Sequence, residues 1–162
     1  MHYNISTLRR HERSLSEEEA RKILHHGLYG VLSMQHSSGG GYGIPLHYAW
    51  DGGESIFFHA APEGEKLRCV AQEPNVSFCV VSEGRVLPQH FSTAYRSIIL
   101  QGNISRVKEE ETKMQALRLL LQKYTPKEME RGLHYAAQAV DKTCILQLNI
   151  RSWSGKHGFE VP

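Results

Sequence analysis

The chain of 162 residues is poor in cysteine, with three, and in proline, with six. Cys69, Cys79 and Cys144 form no CxxC pair and no finger spacing, which excludes a disulfide framework or a structural zinc site as the organising device. They read as small buried apolar residues of a chain from a reducing compartment. No stretch reaches the ~20 apolar residues that cross a bilayer. Residues 1–13 are polar and basic with no apolar segment behind them, unlike a secretory signal. The expected location is the cytoplasm, with no membrane partner. Charge of one sign is also lacking: 19 Lys and Arg against 17 Asp and Glu leave +2, too little to argue for nucleic acid as partner. HExxH, GxSxG, GxxxxGK[ST] and GxGxxG are absent, so no metal site, serine hydrolase elbow, P-loop or Rossmann fingerprint is expected.

What is present suits one globular domain over residues 1–162. Hydrophobic residues make up 40% and charged residues 22%. Ser16 and Glu19 form a capping box that opens a helix over residues 16–26, ended by Gly27 as a left-handed cap. Strands are predicted over residues 30–34, 42–50 and 55–60, with a flexible turn at 37–41 and a hairpin turn at Asp51-Gly52-Gly53. Pro45 marks an edge strand or a bulge. Residues 62–72 change to helical spacing, and Pro74 stops them. A strand over 75–81 precedes an irregular connection over 83–93, in which Val86 and Leu87 suit a short strand. A long strand over 95–107 bends at Gly102.

Residues 109–124 are amphipathic, and Thr125-Pro126-Lys127-Glu128 reads as a second capping box launching a helix to Val140. Residues 143–151 alternate as a half-buried strand, and a tail follows over 152–162. About six antiparallel strands with three or four helices predict a small barrel, mainly β with added helices. An arm over residues 1–15 precedes it, and a helical insertion over 109–140 interrupts it before the last strand. The arm's Arg9, Arg10 and Arg13 are either solvated or dock onto a neighbouring subunit.

Chemistry concentrates after the third strand. Gly64-Glu65-Lys66 opens a helix, whose N-terminal amides and dipole favour an anion. Gly64 allows close backbone approach, and Lys66 adds a full positive charge where a helix ordinarily disfavours one. A phosphate site and a solvated surface lysine both fit that spacing. His59 shares a strand face with Phe57, and His47 follows Pro45-Leu46. Each is either a hydrogen-bonded structural histidine or a ligand-facing one. His25 and His26 end a helix and fit its C-terminal dipole.

Further residues carry a resemblance. Leu8-Arg9-Arg10-His11-Glu12-Arg13, Gly27-Leu28-Tyr29-Gly30-Val31-Leu32-Ser33, Tyr42-Gly43-Ile44-Pro45-Leu46-His47-Tyr48, Phe57-Phe58-His59-Ala60-Ala61, Gly64-Glu65-Lys66-Leu67, Asn75-Val76-Ser77-Phe78 and Tyr95-Arg96-Ser97-Ile98 occur in this order. Together they resemble the pyridoxamine 5'-phosphate oxidase-related FMN-binding family, and within it the 5-nitroimidazole-resistance (Nim-type) branch. The resemblance covers residues 8–156. It implies a split β-barrel homodimer with FMN at the subunit interface.

By the same resemblance Lys66 meets the FMN phosphate beside Gly64 and Glu65. Pro45, Leu46, His47 and Tyr48 lie along the flavin with His59, Ala60 and Ala61, and Ser97 approaches from a later strand. His59 is the residue implied in catalysis. Where the family often has Gly-His-Lys, this chain has Gly-Glu-Lys, which sets a negative charge beside the expected phosphate. The implied function is oxidoreduction from a reduced nicotinamide to a small organic acceptor, a class that includes nitro-aromatics. The alternative is a non-catalytic module that holds FMN or haem, with His59 or His47 as axial ligand. Pyridoxamine phosphate oxidation itself is not expected, because no basic cluster offers a second phosphate site.

Overall fold

A computed structural model describes residues 1–159, the side chain of Glu83 excepted. Among them the elements run β1 (His2–Tyr3), α1 (Glu17–His26), β2 (Gly30–Gln35), β3 (Gly41–Leu46), β4 (Ala49–Trp50), β5 (Ser55–Ala60), α2 (Glu65–Gln72), β6 (Asn75–Leu87), β7 (Ser92–Arg106), α3 (Glu110–Tyr124), α4 (Met129–Ala139) and β8 (Cys144–His157). The strands make one sheet in the order β3-β2-β6-β7-β8-β5-β4, with β1 joined parallel to β8.

That order dictates the shape. β3 and β4 occupy opposite ends of the sheet, yet only His47 and Tyr48 separate them in sequence. Three Cα–Cα steps reach about 11 Å. A flat sheet would hold its two ends six strand spacings apart, about 29 Å. The sheet therefore rolls into a half-barrel, and residues 47–48 are its seam. This is the split-barrel fold class, mainly β with added helices.

Alternation fills the interior. Ile44, Leu32, Phe78, Leu100 and Trp153 align across β3, β2, β6, β7 and β8, and the last four are almost fully buried. Ala20, Ile23 and Leu24 of α1 and Cys69 and Val70 of α2 close over the same core. A second, smaller core forms on the outer side of β5 and β8, where Phe57 and Ile145 meet Ala116 and Leu117 of α3.

Several local expectations need correction. Gly27 is not left-handed (φ −57°, ψ 131°). It is held small instead by crowding, since a Cβ there would lie 2.5 Å from Val80 Cγ1 and 2.7 Å from the Tyr48 hydroxyl. Thr125 does not cap a helix: its hydroxyl donates back to the Leu121 carbonyl, and a 3-10 turn at Pro126–Glu128 intervenes before α4. The connection over 83–93 is mostly strand, because β6 continues to Leu87 through a register shift between Val81 and Glu83. α2 begins at Glu65, not at residue 62.

The tail is strand as far as His157, with Trp153 in the core; residues 160–162 of that expected tail lie outside the described residues. The arm lies along β8, where Tyr3 donates to the Leu15 carbonyl at 2.6 Å and packs edge-on against Trp153. Among the described residues no helix is long and apolar enough to cross a membrane.

The bend at Gly102 coincides with a register shift against β8. A Cβ at Gly102 would stand 2.0 Å from the Asn149 carbonyl oxygen, a backbone atom with nowhere to go. Gly102→Ala is expected to lower the unfolding free energy by about 1–3 kcal/mol in urea titration. Gly84→Ala, with open space around the new methyl, is expected to stay within about 0.5 kcal/mol.

Candidate functional site

The seam places side chains alternately in and out. Pro45 lies outward on β3, an end strand of the sheet, where its missing N–H breaks no ladder. Leu46 turns inward against the core. His47 is exposed, with Nδ1 3.0 Å from the Leu28 carbonyl oxygen. That contact makes Nδ1 the protonated nitrogen and leaves Nε2 for other partners. Tyr48 points inward. Its hydroxyl donates to the Leu24 carbonyl at 2.8 Å, its ring meets Phe78 edge-on, and burial pushes its phenol well above the ordinary value.

Tyr124, at the end of α3, ties the seam together. Its hydroxyl accepts the Tyr48 amide hydrogen at 3.0 Å and lies 2.7 Å from the Leu28 carbonyl and 2.8 Å from the Tyr48 carbonyl. One proton serves one of those two acceptors. Its ring packs edge-on against His47 with centroids 4.8 Å apart. Nothing in the sequence marked Tyr124; a tyrosine ending an amphipathic helix gives no sign of its long-range partner.

His59, next to last in β5, lies on its outward side. It and His47 line one cavity of about 360 Å³, whose remaining walls are Leu117, Leu120, Leu121, Tyr124 and Thr125. The two histidines left open by sequence thus face the same space, and α3, read as an insertion, supplies its walls. Ala60 turns into the core, and Ala61 is exposed. Larger clefts of about 660 and 520 Å³ flank α1, and neither is lined by an expected site residue.

Beyond Ala61 the chain reaches α2 through Gly64, whose φ of +130° an L side chain rarely adopts. Among the described residues no side chain caps this helix, and while the Leu67 and Arg68 amides donate to the Gly64 carbonyl, those of Glu65 and Lys66 remain for another partner. Lys66 stands in its first turn, half-buried. The Glu65 carboxylate turns away toward the β2–β3 turn. It accepts from Arg68 Nε and Ser37 Oγ, both at 2.9 Å, and lies 3.3 Å from His36 Nε2. Arg68, then Ser37, hold its pKa below the ordinary carboxylate value.

Ser97 is not brought to these groups. It lies on the outer sheet face three strands from Pro45, about 14 Å or more. On that face Pro45, Val31, Cys79 and Ile99 align across four strands; Cys79 is half-buried and the other three are exposed.

Behind the seam, Lys123 Nζ sits 3.7 Å from the Tyr48 ring centroid with no hydrogen-bond partner among the described residues. Burial lowers its pKa to about 8 from 10.5. Between those values the unfolded chain binds more protons, so this group makes stability rise with pH. Lys123→Met is expected to be more stable than the parent at pH 7, with an advantage that shrinks between about pH 8 and 10.5 in urea titrations. Parallel pH profiles would contradict this.

A family model described as "Pyridoxamine 5'-phosphate oxidase" matches residues 16–157. No curated protein sequence matches the chain. Among solved structures, a candidate 5-nitroimidazole antibiotic resistance protein from Bacteroides thetaiotaomicron is similar at 19% identity and a TM-score of 0.75, over 88% of this chain and 84% of that one. A flavocytochrome from Azotobacter vinelandii is similar at 20% and 0.75, over 91% and 69%. An FAD and heme binding protein from Mycobacterium smegmatis is similar at 20% and 0.75, over 93% and 75%. At such identities the structural likeness speaks for the fold alone.

Proposed function

The chain belongs to the pyridoxamine 5'-phosphate oxidase family, and from that premise we propose that it is an FMN-binding flavoprotein. It passes electrons from a reduced nicotinamide to a small organic acceptor, with nitro-aromatics among the acceptors to test. The observation that supports this best is the uncapped start of α2, opened by Gly64 and charged by Lys66. Such an end satisfies a phosphate monoester through amides, dipole and ammonium together. Glu65 does not oppose it, because its carboxylate is held by Arg68 and Ser37.

FMN held there would supply hydride-transfer chemistry between the nicotinamide and the acceptor. This chain binds, orients and handles protons. Lys66 and the α2 amides hold the phosphate. Pro45, His47 and Ala61, exposed at the ends of β3 and β5, give the ring its bed, with Leu46, Tyr48 and Ala60 contributing backbone. His59 is the proton donor to the reduced acceptor, since imidazole exchanges protons near neutral pH.

The row of exposed Pro45, Val31 and Ile99, with half-buried Cys79 between them, is the face on which a second copy docks. A homodimer there gives Ser97 a place beside the cofactor that one copy does not. An interface above ~1,200 Å² is expected. Sedimentation showing a monomer at micromolar concentration would contradict it.

Two imidazoles on one apolar cavity favour a second reading, a haem-binding module with His59 or His47 as axial ligand. Denaturing release of the chromophore from purified protein, with mass identification, separates the two. FMN is expected, and haem would overturn the first reading. Lys66→Ala is expected to weaken FMN retention by about 1–3 kcal/mol, whereas unchanged occupancy would remove its phosphate role. His59→Ala is expected to retain FMN and lose turnover.

A further inference from the structure

β6 and β7 run on past the body of the sheet as a ribbon. β2 pairs with β6 only as far as Cys79. From Val80 to Leu87, about 26 Å of strand, one edge of β6 has no neighbouring strand among the described residues. Its free N–H and C=O groups are a template for another strand. In the turn at the far end stands Phe91, fully exposed and in the left-handed region (φ 45°, ψ 41°) that a bulky side chain rarely adopts. An aromatic ring held in water on such a backbone costs this copy stability and gives it no packing.

A receptor of matching character lies at the near end of the ribbon. Leu28, Tyr29 and Val81, each more than half exposed, line a cleft of about 660 Å³ between α1 and β6. Residues 28–29 lead into β2, so the cleft sits where β2 stops and the open edge of β6 begins. A second β6 laid antiparallel on that edge runs in line with β2, and its turn meets residues 28–29. Two-fold symmetry makes the contact mutual. We propose that two copies of this chain exchange ribbons in this way, with the Phe91 ring of each copy seated in the other's cleft. The proposal rests on the homodimer reading and names the element that makes the contact. Four residues, Pro45, Val31, Cys79 and Ile99, are too few for a stable pair, which uses about 20–30 a side. Ribbon and cleft extend that row, because Val81 follows Cys79 on the same face of β6.

Phe91 belongs to neither core cluster, and asparagine suits a left-handed backbone. Phe91→Asn is therefore expected to keep the parent's circular dichroism, while its dimer dissociates at least about tenfold more readily in sedimentation equilibrium. Equal mixtures of Phe91→Cys and Leu28→Cys chains, oxidised with glutathione disulfide, are expected to yield a cross-linked peptide that joins positions 91 and 28. A dimer as tight in Phe91→Asn as in the parent would overturn the proposal and leave the homodimer standing. So would a stable dimer that yields no such peptide. A parent that sediments as a monomer at micromolar concentration would remove both.

Discussion

Two residues of backbone join the opposite edges of the sheet, and most of the molecule follows from that short span. Because β3 and β4 stand at the two ends of the strand order with only His47 and Tyr48 between them, the sheet has to roll. Rolling brings the ends of β3 and β5 together and leaves a seam whose backbone needs partners. Tyr124 meets that need from α3. The same contact fixes α3 beside His47 and His59 and thereby makes a cavity. Closure of the sheet, anchoring of the helix and definition of the site are one event.

Charge is handled in opposite ways on the two sides of the seam. At α2, Glu65 would be a liability next to an anion, yet Arg68, Ser37 and His36 engage it and turn it to the β2–β3 turn. The helix start keeps its amides and Lys66. Behind the seam, the Lys123 ammonium is buried without a hydrogen-bond partner among the described residues and is offset by the face of Tyr48, with the Tyr124 ring farther off at 5.5 Å. A cation–π contact of about 2 kcal/mol does not fully replace water for an ammonium, which is why burial drags its pKa toward neutrality. The first arrangement leaves an uncapped helix start beside a lysine; the second costs stability at neutral pH.

Much of the fold could be read from residue pattern. The capping box at Ser16, the apolar run within Ser55–Ala60 and the bend at Gly102 are local signals, and each appears where expected. The misses are non-local. β6 reads through Glu83-Gly84-Arg85 because β7 pairs with it residue by residue, and no property of those residues announces a strand. Gly27 looked like a cap but is small because Val80 and Tyr48 crowd it from elsewhere. For the site, His59 and Lys66 stood out by type and position. Tyr124 and the leucines of α3 did not, since a helix face that lines a cavity has the same spacing as one that packs on a core.

The phosphate contact proposed at α2 is open to a single comparison: the affinity of flavin-stripped protein for FMN against riboflavin, which differ by the phosphate alone. With Gly64, the α2 amides and Lys66 gripping that group, FMN should bind tighter by at least about 1–3 kcal/mol. Equal affinities for FMN and riboflavin would contradict it.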